Sequence, residues 1–139
     1  MIDESTEFGA RAARHLREDR VVWLTTVSPS GSPLPSPVWF FWEEPDTVLV
    51  FSLAGTARAR NLEANPRVSL NFPGNGDGGD IVVLSGRATV EPDAPPAHAV
   101  PGYAEKHASG FERIGVTPEQ FSQRYSVPLR IRLTGIRGH

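Results

Sequence analysis

Two hydrophobic rhythms alternate along the chain. Phe8, Ala12 and Leu16 recur every four residues, which predicts a short amphipathic helix over 8–17. Ser5 or Thr6 stands where a hydroxyl can cap it, and Glu7 lies at its favourable, positive end. The β-branched and aromatic run Val21–Val27 then predicts a strand. After the turn cluster Ser28-Pro29-Ser30-Gly31-Ser32-Pro33, a second strand is expected over 38–42, and Glu44-Pro45-Asp46 closes a hairpin into a third over 48–52. Residues 56–65 predict a helix that ends because Pro66 disfavours helical geometry at Asn65. Strands are expected over 67–72 and 81–90, on either side of a glycine-rich loop. Pro92, Pro95 and Pro96 break the pattern, and two helical pieces follow. The second is marked by Thr117-Pro118-Glu119-Gln120, a capping box with proline in the first turn. A last strand is expected over 129–133.

Hairpin-linked strands imply an antiparallel sheet and not a βαβ alternation. The expected fold class is mainly β (α+β): six antiparallel strands that close best as a barrel, with short flanking helices. No internal repeat or long linker divides the sequence, so a single domain over 1–139 is expected.

Composition narrows the chemistry. There is no cysteine, which removes disulfides and thiolate sites together. The formal net charge of −2 argues against bulk nucleic-acid binding. The N-terminus is acidic and polar, unlike a signal peptide, and no apolar run approaches the roughly 20 residues of a membrane span. A cytoplasmic protein is expected. Among the 14 basic residues Lys106 is the only lysine, a bias that suits forked recognition of phosphates and carboxylates whatever its origin.

One segment carries a candidate site. A strand ends at Ser52, Gly55 allows a tight turn, and a helix capped by the Thr56 hydroxyl begins, with Arg58 in its first turn. Free amides at a helix N-terminus favour an anion, and Arg58 can add charge; the competing reading is a surface helix with solvated arginines. Arg60, about 200° further round the helix, cannot easily face the same anion. The loop Gly74-Asn75-Gly76-Asp77-Gly78-Gly79 is not a phosphate loop, since it leads into a strand, lacks the Lys-Ser/Thr pair and ends beside Asp80. His15, His98, His107 and His139 show no metal spacing, so no metal site is expected; His98 or His107 remains a candidate haem ligand. No Gly-x-Ser-x-Gly elbow and no catalytic carboxylate pair stands out, so no catalytic residue is assigned. Pro37-Val38-Trp39-Phe40-Phe41-Trp42 places large side chains on both faces of one strand. Either both faces are core, or one meets a planar ligand or a partner subunit.

Taken in order, these segments resemble the pyridoxamine 5'-phosphate oxidase-like FMN-binding split-barrel superfamily. The nearer likeness is to its actinobacterial branch of deazaflavin (coenzyme F420)-dependent reductases. The likeness rests on Trp23-Leu24-Thr25-Thr26-Val27 with Gly31-Ser32-Pro33, on Ser36-Pro37-Val38-Trp39-Phe40, on the run from Arg58 to Val68, and on Leu84-Ser85-Gly86-Arg87-Ala88. It implies a split barrel and a homodimer with two cofactor sites at the subunit interface. It also implies an oxidoreductase that uses coenzyme F420, with FMN the alternative, to pass a hydride to a small electrophilic acceptor. By the same likeness, Arg58 meets the cofactor phosphate with Ser52 and Thr56 beside it. The ring lies along Ser36, Pro37, Val38 and Trp39, and Arg60 and Asn61 match further candidates. The chain lacks the oxidase's extended C-terminal substrate segment, which makes pyridoxamine phosphate a poor candidate substrate. A non-catalytic flavin or haem binding or carrier protein on the same fold is the reading from another class.

Overall fold

A computed structural model describes residues 1–139. The elements are α1 (Glu7–Glu18), β1 (Val21–Val27), β2 (Pro33–Trp39), β3 (Phe41–Glu43), β4 (Thr47–Ser52), α2 (Ala57–Ala64), β5 (Arg67–Asn71), β6 (Val82–Val90), α3 (Tyr103–Lys106), α4 (Ala108–Ile114), α5 (Pro118–Arg124) and β7 (Val127–Gly138), with a 3₁₀ turn at Ala97–Ala99. The seven strands form one curled antiparallel sheet in the order β2-β1-β5-β6-β7-β4-β3. This is the expected antiparallel split barrel with short helices, built from seven strands and not six.

The extra strand arises at Phe40. The expected single strand over 38–42 is two: Val38 pairs with Val22 of β1, whereas Trp42 pairs with Val48 of β4. The chain crosses from one sheet edge to the other through Phe40, and that crossing is the split. Pro33, Pro35 and Pro37 are tolerated because β2 is an edge strand. The last strand is longer than expected, running to Gly138, because its polar end is held by pairing with β6. A bulge at Ser85/Gly86 keeps that pairing in register, and there the backbone of Arg132 comes within 2.9 Å of where a Cβ on Gly86 would sit.

Two cores follow from the two faces of the kinked strand. Phe40 and Trp42 join Val22, Leu24, Val48, Val50 and Leu84 in the main core, closed at one end by Ala12, Ala13 and Leu16 of α1. Trp39 and Phe41 pack instead against a second cluster in which Phe51 meets Tyr103, Phe111 and Phe121 of the helical segment. Both faces of the aromatic segment are therefore core from Phe40 to Trp42, and Pro37, Val38 and the rim of Trp39 are left to a cleft.

α1 keeps the expected cap, Thr6 Oγ1 accepting from Gly9 N at 2.9 Å. At α5 the capping box is complete, Thr117 and Gln120 each accepting the other's backbone amide. The glycine-rich loop folds around Asn75, whose side-chain oxygen accepts from Asp77 N and Gly79 N. No helix is long and apolar enough to cross a membrane.

Candidate functional site

β4 ends in a buried Ser52, the chain turns through Gly55, and α2 begins at Ala57 with Thr56 in the N-cap position. Arg58, in the first turn, folds back toward the sheet and is half-buried. Its two terminal nitrogens donate to Ser52 Oγ and Ser36 Oγ, each at 2.7 Å. The two serines come from β4 and β2, so the guanidinium bridges strands that are not paired with each other. Burial pulls the Arg58 pKa below its ordinary value. No carboxylate compensates the charge: the chain's ion pairs use Arg11, His15, Arg17 and Arg130. A part-desolvated cation fixed by two neutral acceptors is prepared for an external anion.

Thr56 departs from expectation in a telling way. Its side chain makes no cap hydrogen bond, and the buried Oγ1 has no partner at all. A buried hydroxyl without a partner calls for a ligand or water. It sits at the positive end of α2, next to Arg58.

These groups border a cleft of about 420 Å³ lined by Pro37, Val38 and Trp39 of β2, by Phe51, Ser52, Leu53, Thr56 and Arg58, and by Arg113, Ile114, Phe121 and Tyr125 of the helical segment. Of the residues expected at the site, Pro37, Val38, Trp39, Ser52, Thr56 and Arg58 converge here, and Ser36 joins them through Arg58. The other two do not converge on it. Arg60 is exposed and donates to Gly55 O at 3.0 Å. Asn61 is buried and donates to Thr26 Oγ1 at 3.2 Å, tying α2 to β1; it lines a neighbouring depression together with Ser36, Thr56 and Arg58.

The residues from α4 and α5 went unseen in the sequence. Nothing in their spacing advertises a site; they reach it because Trp39 docks against α4 and α5. The Trp39 ring stacks on His107 at 5.0 Å and on Phe121 at 5.3 Å, and it leaves no room for a side chain at Gly110. His107 is wholly buried, and its Nε2 donates to Phe40 O at 2.8 Å. Burial pushes its pKa down to about 4, so the ring is neutral at ordinary pH. With that nitrogen spent inside the core, His107 is a packing residue. His98 lies on the surface, its Nδ1 bonded to Ser122 Oγ.

Chemically, the cleft offers an anion seat, an aromatic and aliphatic wall, and no carboxylate or histidine. A phosphate-bearing ring compound fits that donor set, and the hydroxyls in the lining are those of Ser52, Thr56 and Tyr125.

Comparison with known proteins agrees with this picture. The family model described as pyridoxamine 5'-phosphate oxidase matches residues 8–125. Among solved structures, an F420 reductase is 24% identical with a TM-score of 0.57, covering 89% of this chain and 94% of its own. A FAD-binding protein from Mesorhizobium loti is 21% identical with a TM-score of 0.60 (91% and 88% covered). HutZ, the haem storage protein from Vibrio cholerae, is 23% identical with a TM-score of 0.59 (91% of each chain). At such identities the likeness is one of fold. No curated protein matches the sequence.

Proposed function

The chain belongs to the pyridoxamine 5'-phosphate oxidase family, and on that premise we propose that it is an oxidoreductase using a flavin-type cofactor, with coenzyme F420 favoured over FMN. The observation that carries this reading is Arg58: half-buried, held by Ser36 and Ser52, without a carboxylate, and beside the orphaned Thr56 hydroxyl at a helix N-terminus. Arg58, Thr56 and Ser52 hold the phosphate, and the edge of β2 from Ser36 to Trp39 supports the ring. When bound, the reduced cofactor supplies a hydride to an electrophilic acceptor. The protein's own part is to orient the two partners between apolar walls; water or a hydroxyl at the site supplies the proton.

The site is completed by a second copy of the chain. Val21 and Trp23 stay exposed on the outer face of β1, where they pair with Trp39 and Pro37 of β2. That apolar face runs directly into the cleft, which supports a shared, two-fold arrangement.

A non-catalytic carrier on the same fold is the second reading, supported by the absence of any carboxylate or histidine in the cleft. One panel separates the two: titration with FMN, coenzyme F420 and haem, then turnover of the bound, reduced cofactor with quinone and enone acceptors. Arg58→Ala is expected to raise the cofactor dissociation constant about tenfold to a hundredfold, as loss of a charge-assisted bond implies. Arg60→Ala is expected to leave it nearly unchanged. Equal binding by Arg58→Ala and the native chain would remove the phosphate assignment, and haem binding without turnover would favour the carrier.

A further inference from the structure

Beyond the phosphate seat, the same cleft holds a second cation with no assigned task. Arg113, from the last turn of α4, lines the cleft but makes no hydrogen bond to the protein and joins no ion pair. Its place near a helix C-terminus accounts for a basic residue there. It does not account for the apolar company: Leu53 and Ile114, exposed at 37% and 47%, border the same cleft. Few large apolar side chains stay exposed in this chain, and these two, from separate segments, flank one opening together with Phe121 and Tyr125. With two arginines and no acid among its lining residues, the cleft carries uncompensated positive charge. Arg58 is committed to Ser36 and Ser52, whereas Arg113 is uncommitted.

The geometry points to an acceptor subsite for an amphiphilic organic anion, its carboxylate on Arg113 and its conjugated or aromatic body against Leu53, Ile114 and Phe121. Conjugation makes such an acid a fitting electrophile for hydride transfer, and the guanidinium fork fixes its orientation by a two-point bond to the carboxylate. This inference rests on Arg58 as the residue that holds the cofactor phosphate, which leaves Arg113 free for the acceptor.

Cinnamate and cinnamamide form a suitable probe pair, sharing ring and alkene and differing in charge. Their binding is measured by calorimetry on the intact protein, with and without FMN or coenzyme F420. The native chain is expected to bind cinnamate about tenfold tighter than the amide, the scale of one charge-assisted contact. Arg113→Gln, an exposed substitution that should leave folding intact, is expected to abolish that preference without changing the cofactor dissociation constant. Arg58→Ala is expected to do the reverse. The subsite is overturned if the native chain does not distinguish the pair or binds neither probe. It is also overturned if Arg113→Gln keeps the preference, or if that variant weakens the cofactor as Arg58→Ala does. If the native chain binds no flavin-type cofactor yet the cinnamate preference vanishes in Arg113→Gln, the anion subsite stands and the proposed redox function falls.

Discussion

Two basic side chains show how surroundings decide what a charge does in this protein. Arg58 has only neutral oxygens for partners, so its charge is directed at a ligand. His15 is the opposite case, spent entirely within the fold. Its ring stacks on Phe72 and spans two carboxylates, with Nδ1 at 2.6 Å from Asp19 and Nε2 at 3.0 Å from Asp80. Only the imidazolium, with a proton on each nitrogen, satisfies both acceptors at once. Burial opposes that charge, but the hydrogen bonds to Asp80 and Asp19 outweigh it, and the pKa is raised above 6.5. Asp80 is in turn held below its ordinary value by Arg11 first and His15 second. The signs follow from linkage. The His15 contribution is fully present below about 6.5 and is lost as pH rises through the raised folded value. Stability is therefore expected to decline as pH rises from about 6.5 through that raised value, with that slope reduced in His15→Gln. The His15 ring resonances should titrate with a midpoint above 6.5; a midpoint at or below that value, or equal slopes in both proteins, would contradict the latch.

Among the elements, the helical segment does most to shape the site, and it does so through Trp39. A Cβ placed on Gly110 would lie 2.6 Å from the Trp39 ring. Gly110→Ala must displace the indole, and overpacking of this kind costs roughly 1–3 kcal/mol. Because Trp39 also borders the cleft, thermal stability and cofactor affinity are expected to fall together. Gly135→Ala, whose nearest neighbour is Ser85 Cβ at 4.0 Å, should change neither. Native stability in Gly110→Ala would mean that α4 sits loosely on the sheet. The same contact explains what the sequence did and did not reveal. α1, α5 and the strands β1, β4, β5 and β6 were legible because period and caps are local signals, whereas β2 starts at Pro33, inside the expected turn cluster, and not at Val38. The break at Phe40 was not, because the residues on either side are equally strand-like and only their partners differ. Arg58, Ser52 and Thr56 could be read from a strand–glycine–helix pattern of a few residues. Family likeness placed Ser36 along the ring, but neither source anticipated its bond to Arg58 or the arrival of Arg113 and Ile114, since tertiary docking alone brings these groups together. The end of β7 was missed because Gly135 and Gly138 have weak strand preference and depend on β6 for their order.

For the molecule as a whole, the exposed apolar strip on β1 and β2 predicts association. Light scattering at micromolar concentration is expected to give about twice the 15.1 kDa chain mass. Trp23→Asp, at a position 38% exposed, should shift the protein toward monomer and weaken cofactor binding without unfolding it. A native monomer that still binds cofactor at full strength would exclude the shared site. The strand order has a separate consequence, for folding. β7 lies between β6 and β4 and is the only element that joins them. Without Val127–Gly138 in place, the β2-β1-β5-β6 ladder and the β4-β3 hairpin share no sheet hydrogen bonds. A lone hairpin is marginal in water, and Val48 and Val50 have no cover on that side until the last strand arrives. Before that strand pairs, β6 and β4 each present an open edge, the state in which pairing with a strand of another chain competes with folding.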